Sequence, residues 1–304
     1  MALPSKSRFG GKPPFLHGEA EPRNEQHRGV YETSLQSAHL PMNPMEIQNP
    51  KYPIQNLDVL AFAAHPDDVE LSAGGTMCLL VRQGYRVGIV DFTKGELGSR
   101  GTPEGRREEA QAAAAIIGLA VRENLGFPDG DIENSKDHQR QVIRVVRRYR
   151  PHIVLIGAPV CRHPDHCAAA RLAVDAFFYS GLRKVETAED DGTPQQPWRP
   201  HHVLHYMQSV PFEPTLVVDV TETWEQRTQA LQAFQSQFFN PDYQAAADEP
   251  ETFVSNPDFF RWIEARARTY GYQIGATYGE PFLYRGPLGV GDLVSTLARE
   301  KRYR

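Results

Sequence analysis

Short, almost purely apolar runs of strand length recur along this chain, and between them lie segments of helical length. Leu57–Ala63 (LDVLAFA), Arg86–Phe92 (RVGIVDF) and His152–Gly157 (HIVLIG) lack the in/out alternation of a half-solvated strand. Runs of this kind suit strands covered on both faces, which is the position of a strand in a parallel sheet. The segments after them read as helices: Val69 to Gly84, Pro103 to Gly118, Lys136 to Tyr149 and Asp165 to Ser180. Pro103 suits a first helical turn, and Pro151 cannot continue the helix before it. A short strand near Val121–Leu125 and a Pro128-Asp129-Gly130 turn complete the alternation. The expected fold class is therefore α/β, with a Rossmann-like, mostly parallel sheet and helices on both faces.

A chain of 304 residues with 40% hydrophobic content can bury one sizeable core with a small appended lobe. Beyond Gly181 the pattern loosens. Val203–Met207 and Leu216–Val220 read as strands, Glu222–Phe238 and Asp258–Tyr270 as helices, and residues 182–300 are expected to form a smaller C-terminal lobe roofing the site. Residues 54–300 would be the domain, and residues 1–53, rich in Pro and without an apolar period, a disordered tail. A formal charge of -5 gives no general affinity for nucleic acid or an acidic membrane, and no apolar run is long enough to span a bilayer. Three cysteines, Cys78, Cys161 and Cys167, are too few for a disulfide framework and fit a reducing cytoplasmic setting. Small-molecule chemistry is the default expectation.

Two clusters carry that chemistry. His65-Pro66-Asp67-Asp68 follows the first apolar run, and Arg162-His163-Pro164-Asp165-His166 follows the run His152–Gly157. In an open α/β sheet, ligands bind beyond the carboxyl ends of the strands, where both clusters fall. Two imidazoles, one carboxylate and an open fourth position make a catalytic zinc site. The residues offer His65, one of Asp67 and Asp68, and one of His163 and His166. The surplus carboxylate could take a proton from water and the surplus histidine could stabilise a tetrahedral intermediate. Asp165 could orient His163 through a hydrogen bond. Taken singly, an Asp-Asp pair before a helix is ordinary capping; two such clusters in one sheet are not.

These motifs resemble those of the LmbE-like (PIG-L) metal-dependent de-N-acetylases. The likeness runs from about Leu57 to about Asp292. Phe92–Thr102, Gln235-Ser236-Gln237-Phe238 and Tyr278-Gly279-Glu280-Pro281-Phe282 are most similar to the bacillithiol-biosynthesis branch. The resemblance implies zinc, one per chain, on His65, Asp68 and His166, a donor set that other divalent metals can also occupy. It also implies Asp67 as general base, and His163 as oxyanion stabiliser or proton donor, oriented by Asp165. The implied reaction removes acetate from an N-acetylglucosaminyl conjugate such as N-acetylglucosaminyl malate, in a cytoplasmic homo-oligomer such as a hexamer.

Arg106 looks like a family arginine that could hold sugar hydroxyls or a carboxylate in fork geometry, against the alternative of a solvated helix face. Arg162 could pair with an anionic aglycone or with Asp165. Glu96, Asp129 and Ser72 are further candidates for substrate contact. Cys161 and Cys167 read as buried, inert thiols rather than zinc ligands. Leu231, Phe234 and Phe238, with Trp224 and Trp262, read as core. Phe259 stands where some relatives place a tyrosine. A sugar- or nucleotide-binding module with a structural metal, and a metallophosphoesterase, are the competing readings.

Overall fold

The computed structural model describes residues 56–246 and 248–294; the expected tail, residues 1–53, lies outside them. In chain order the elements are β1 (Val59–Ala63), α1 (Asp68–Arg82), β2 (Val87–Thr93), α2 (Pro103–Ile117), β3 (Val121–Phe127), α3 (Lys136–Tyr149), β4 (Ile153–Gly157), α4 (Pro164–Ser180), β5 (His202–Tyr206), β6 (Leu216–Asp219), α5 (Trp224–Gln232), α6 (Asp258–Gln273) and β7 (Gly279–Tyr284).

One seven-stranded sheet has the order β3-β2-β1-β4-β5-β7-β6, with β3 through β5 parallel and β7 antiparallel to both of its neighbours. The continuous apolar run of β1 is explained by its two covered faces. Val59, Ala61 and Ala63 pack with residues of α1, α2, α5 and α6, whereas Leu60 and Phe62 pack with α3 and α4. At about 25 cal/mol per Å² of apolar surface, burial on both sides makes such central strands the best-anchored part of the fold.

Strand order reverses between β1 and β4, because β2 lies on the far side of β1 and β5 on the far side of β4. The crevice at that switch point is where the loops carrying the two His/Asp clusters emerge. Beyond Gly181, β5, β7 and β6 extend this same sheet. The helix expected over 222–238 stops at Gln232. Glu109 of α2 accepts hydrogen bonds from the backbone N–H (2.7 Å) and hydroxyl (2.8 Å) of Ser236, taking up a donor that a continuing helix would need. Phe234 and Phe238 remain buried on the turns that follow, as the apolar stripe requires.

Candidate active site

α1 begins at Asp68, the last residue of the first cluster, with Asp67 as N-cap at φ 113°. A non-glycine residue held there stores backbone strain, a condition that clusters at functional sites. Its surroundings hold it in place: Asp67 O accepts from Leu71 N at 2.9 Å, and its carboxylate accepts from Arg106 Nη2 at 2.8 Å. α4 starts in a parallel way, with His163 as N-cap, its Nδ1 accepting from Asp165 N at 3.2 Å. Because Nδ1 is an acceptor there, the proton of a neutral His163 ring sits on Nε2.

The two loops meet. His166 Nε2 lies 3.2 Å from Asp68 Oδ1, and His65 Nδ1 lies 3.7 Å from Asp68 Oδ2. Ring nitrogens of His65, His163 and His166 also lie within 4.8 Å of one another. Imidazoles gathered beside one carboxylate fit a divalent metal, whose nitrogen and oxygen ligands these are. A second close group, His65 with Asp129 and Asp165, has another explanation. His65 Nε2 is 3.0 Å from Asp129 Oδ1 and 3.3 Å from Asp165 Oδ2. Carboxylates only accept, so Nε2 carries the proton and Nδ1 is left as the lone-pair face toward Asp68. The two carboxylates thus back the ring, as partners of metal-bound imidazoles do.

The electrostatics agree with a site built for charge. Burial opposes a charge on His65, yet Asp129, Asp165 and Asp68 raise its pKa to about 9. Burial likewise opposes protonation of His166, and Asp68 and Cys161 outweigh it, to about 10. Burial would push Asp68 up, but His166 and His65 overcome it and hold the carboxyl far below the ordinary carboxylate range. Asp67 moves the other way, raised by burial against the pull of Arg106. His163 is lowered by burial and by its two imidazole neighbours, and so is neutral at neutral pH. Two adjacent aspartates pushed apart in this manner is the pattern of divided acid and base roles.

A cavity of about 740 Å³ opens over these groups, lined by His65, Asp67, Asp68, His163 and His166. Arg106, Arg162 and Asp129 also line it, while Phe238, Phe253, Phe259 and Trp262 form its apolar wall. Several expectations need correction. The Asp165 carboxylate does not orient His163; it faces His65 and accepts from Gly130 N at 2.8 Å, and only the Asp165 backbone N–H reaches the His163 ring. Asp129 lines the cavity, and its carboxylate is already held by His65 and by Leu97 N. Glu96 is not among the lining residues, and its carboxylate accepts from the backbone N–H of Asp129 and Lys94, which braces the loop. Ser72 is buried away from the cavity. Arg106 is neither solvated nor free to grip a ligand by a full fork, since Nη2 also donates to Pro66 O at 2.7 Å.

Trp262 is half-exposed at the cavity rim, not core, and Cys161 and Cys167 are only partly buried. Phe259 does reach the cavity, so no hydroxyl stands at that position, and none of the lining residues is a tyrosine. Two contributors had no motif to mark them. Gln208, just beyond β5, donates to Asp68 Oδ1 at 2.8 Å, and Arg266 of α6 lines the cavity while donating to Gln208 O at 2.7 Å. Gln208's only advance signal was its place at a strand's carboxyl end.

Comparison with known proteins finds relatives of this chain in both sequence and fold. The conserved protein TT1542 of Thermus thermophilus is 36% identical and superposes with a TM-score of 0.68 over 78% of this chain and 98% of its own. Diacetylchitobiose deacetylase of Thermococcus kodakarensis is 29% identical over 59% of this chain and 70% of its own. A 4-oxalmesaconate hydratase of Pseudomonas putida is 28% identical over 59% and 73%. A probable N-acetyl-alpha-D-glucosaminyl L-malate deacetylase 2 of Bacillus cereus is 28% identical over 68% and 94%. The PIG-L family profile, described as GlcNAc-PI de-N-acetylase, matches residues 60–177, which span both clusters and the sheet between them. This chain belongs to the PIG-L, or LmbE-like, de-N-acetylase family.

Proposed function

We propose that this protein hydrolyses the N-acetyl group of an N-acetylglucosaminyl conjugate. His65, Asp68 and His166 would hold the metal, which when bound supplies Lewis-acid polarisation and a lowered water pKa. The observation that carries the reading is the contact of Asp68 with both His65 and His166, while Asp67 and His163 line the same cavity uncommitted to that pairing.

Asp67 takes the proton of the attacking water, and its burial-raised pKa brings it nearer the operating range of a general base. The neutral His163 donates a hydrogen bond from Nε2–H to the negative charge that grows on the amide oxygen, and Asp67 then passes the proton it took from water to the departing nitrogen. Asp165 and Asp129 fix the ring of His65. Arg106 holds the Asp67 carboxylate in place.

The finer substrate is an anionic conjugate, N-acetylglucosaminyl malate. Arg162 supports it: it is exposed, lines the cavity, and its guanidinium stands over the Phe253 ring at 5.8 Å, where an aglycone carboxylate can reach it. A water-soluble small molecule is the partner in view, and no helix among the described residues is long and apolar enough to cross a membrane. The test is acetate release from N-acetylglucosaminyl malate, from free N-acetylglucosamine and from N,N'-diacetylchitobiose, with and without chelator. Chelator-sensitive release favouring the malate conjugate is expected. Equal turnover of all three removes the malate reading. No acetate from any, with hydration of an unsaturated dicarboxylic acid instead, removes the deacetylase reading.

A further inference from the structure

His65 and His166 are backed differently. Behind His65 stand two carboxylates, whereas the outer ring nitrogen of His166 faces a sulfur: Cys161 Sγ lies 3.1 Å from His166 Nδ1. We propose that Cys161 is a positioning residue, whose sulfur accepts the Nδ1–H of His166 and so keeps Nε2 turned toward Asp68 and the metal position.

Two features carry this. With a metal held on the Asp68 side, His166 would give it the Nε2 lone pair, so the ring proton would be on Nδ1, facing the sulfur 3.1 Å away. That contact ties the loop after β4 to the first turn of α4. The sulfur cannot easily swing away, because the backbone that carries it is pinned. Cys161 N–H donates to Cys167 Sγ at 3.2 Å, and the Cys167 thiol returns to Cys161 O at 3.5 Å. The outer partner of a metal-bound imidazole is usually a carboxylate, a carbonyl or water, and its loss lowers metal affinity by about 10–100-fold. Here a larger, softer acceptor fills that place, set by a residue five positions before the ligand it serves.

The inference rests on reading His166 as a ligand, and the test separates the two. Zinc affinity is measured by chelator competition on the full chain, for the wild type, Cys161→Ala, Cys161→Ser and His166→Ala, beside the melting temperature of each metal-free protein. The expected result is that Cys161→Ala binds about 10–100-fold more weakly, Cys161→Ser recovers most of the affinity because its hydroxyl also accepts, and the metal-free melting temperatures of the two are alike. Unchanged affinity in Cys161→Ala, or equal losses in the Ala and Ser variants, overturns the proposal. If His166→Ala also binds zinc normally, it is the ligand assignment that fails. Two measurements need no variant. Long-range nitrogen–proton NMR of the zinc-loaded wild type should show His166 as the Nδ1–H tautomer, and an Nε2–H tautomer overturns the proposal. Cobalt-loaded wild type should lack an intense sulfur-to-cobalt charge-transfer band, whose presence would make Cys161 a ligand instead.

Discussion

Arg106 Nη2 donates to Asp67 Oδ2 at 2.8 Å, in a pair whose arginine is only 5% exposed. Burial raises the Asp67 pKa and the guanidinium pulls it back down, so Arg106 sets how acidic the medium can become before the base is lost. Removing an opposite charge at this range moves a carboxylate by about 1–3 pKa units. Arg106→Gln should therefore shift the acidic limb of the kcat/KM profile for acetate release upward by that amount. Activity near pH 7 falls and partly returns at higher pH. A limb that stays in place while the whole profile drops would show that Arg106 acts only on substrate.

Neighbouring aspartates should fail in different ways. Asp67→Asn keeps the shape of the site and loses only the proton acceptor, so zinc content should stay near that of the wild type while kcat falls about 10²–10⁴-fold. Asp68 touches both His65 and His166, so Asp68→Ala should lose the metal itself. Elemental analysis alongside the acetate assay checks both, and a metal-free Asp67→Asn protein would reverse the roles.

Beneath the site, Arg122 of β3 donates from Nε to Asp91 of β2 at 2.9 Å and from Nη1 to Glu70 of α1, all three buried. The arrangement staples the first turn of α1, which carries Asp68, to two strands. Arg122→Met leaves two buried carboxylates without a counter-charge and should cost about 3–5 kcal/mol in urea unfolding. Adding Glu70→Gln and Asp91→Asn to it should restore much of that loss, since an apolar or neutral replacement of a whole buried network is often tolerated. A triple variant no more stable than Arg122→Met alone would mean that packing, not charge, is what was lost.

How much of this was legible follows from where the information sits. Central strands buried on both faces announce themselves by composition alone, and α3 begins and ends at Lys136 and Tyr149 as its valine spacing and Pro151 require. The two His/Asp clusters were legible because both sit within a few residues of a strand end. β7 was not, since Gly279-Glu280-Pro281 is poor strand material; it is held because the buried Glu280 carboxylate accepts from Gly75 N, Thr76 N and the Thr76 hydroxyl. Pro281 pairs with Val217 of β6 and has no partner in β5, whose ladder with β7 takes in only Phe282 to Tyr284. The contacts of Asp129 and Asp165 with His65 were not foreseen, for a related reason. A loop carboxylate carries no local sign of which distant imidazole it will meet, and His65 reaches both only after β3, β2, β1 and β4 are joined in one sheet.

The same imidazoles give the metal-free protein a distinctive pH response. His65 and His166 have folded-state pKa values raised to about 9 and about 10, against 6.5 for a free histidine. A group whose pKa is higher in the folded state stabilises the fold while it is protonated. The stabilisation is complete below about 6.5 and is lost as the pH climbs through 9 and 10. The chelated protein should thus melt progressively lower between pH 7 and pH 10, as Asp68, Asp129 and Asp165 lose their cationic partners. A divalent metal competes with those same protons, so its contribution to the melting temperature should grow over the same interval. Calorimetric scans of zinc-loaded and chelated protein across that range should diverge as the pH rises. In His166→Ala the chelated protein should lose part of the pH dependence. Parallel curves for loaded and chelated wild type would show that zinc is not held by His65 and His166.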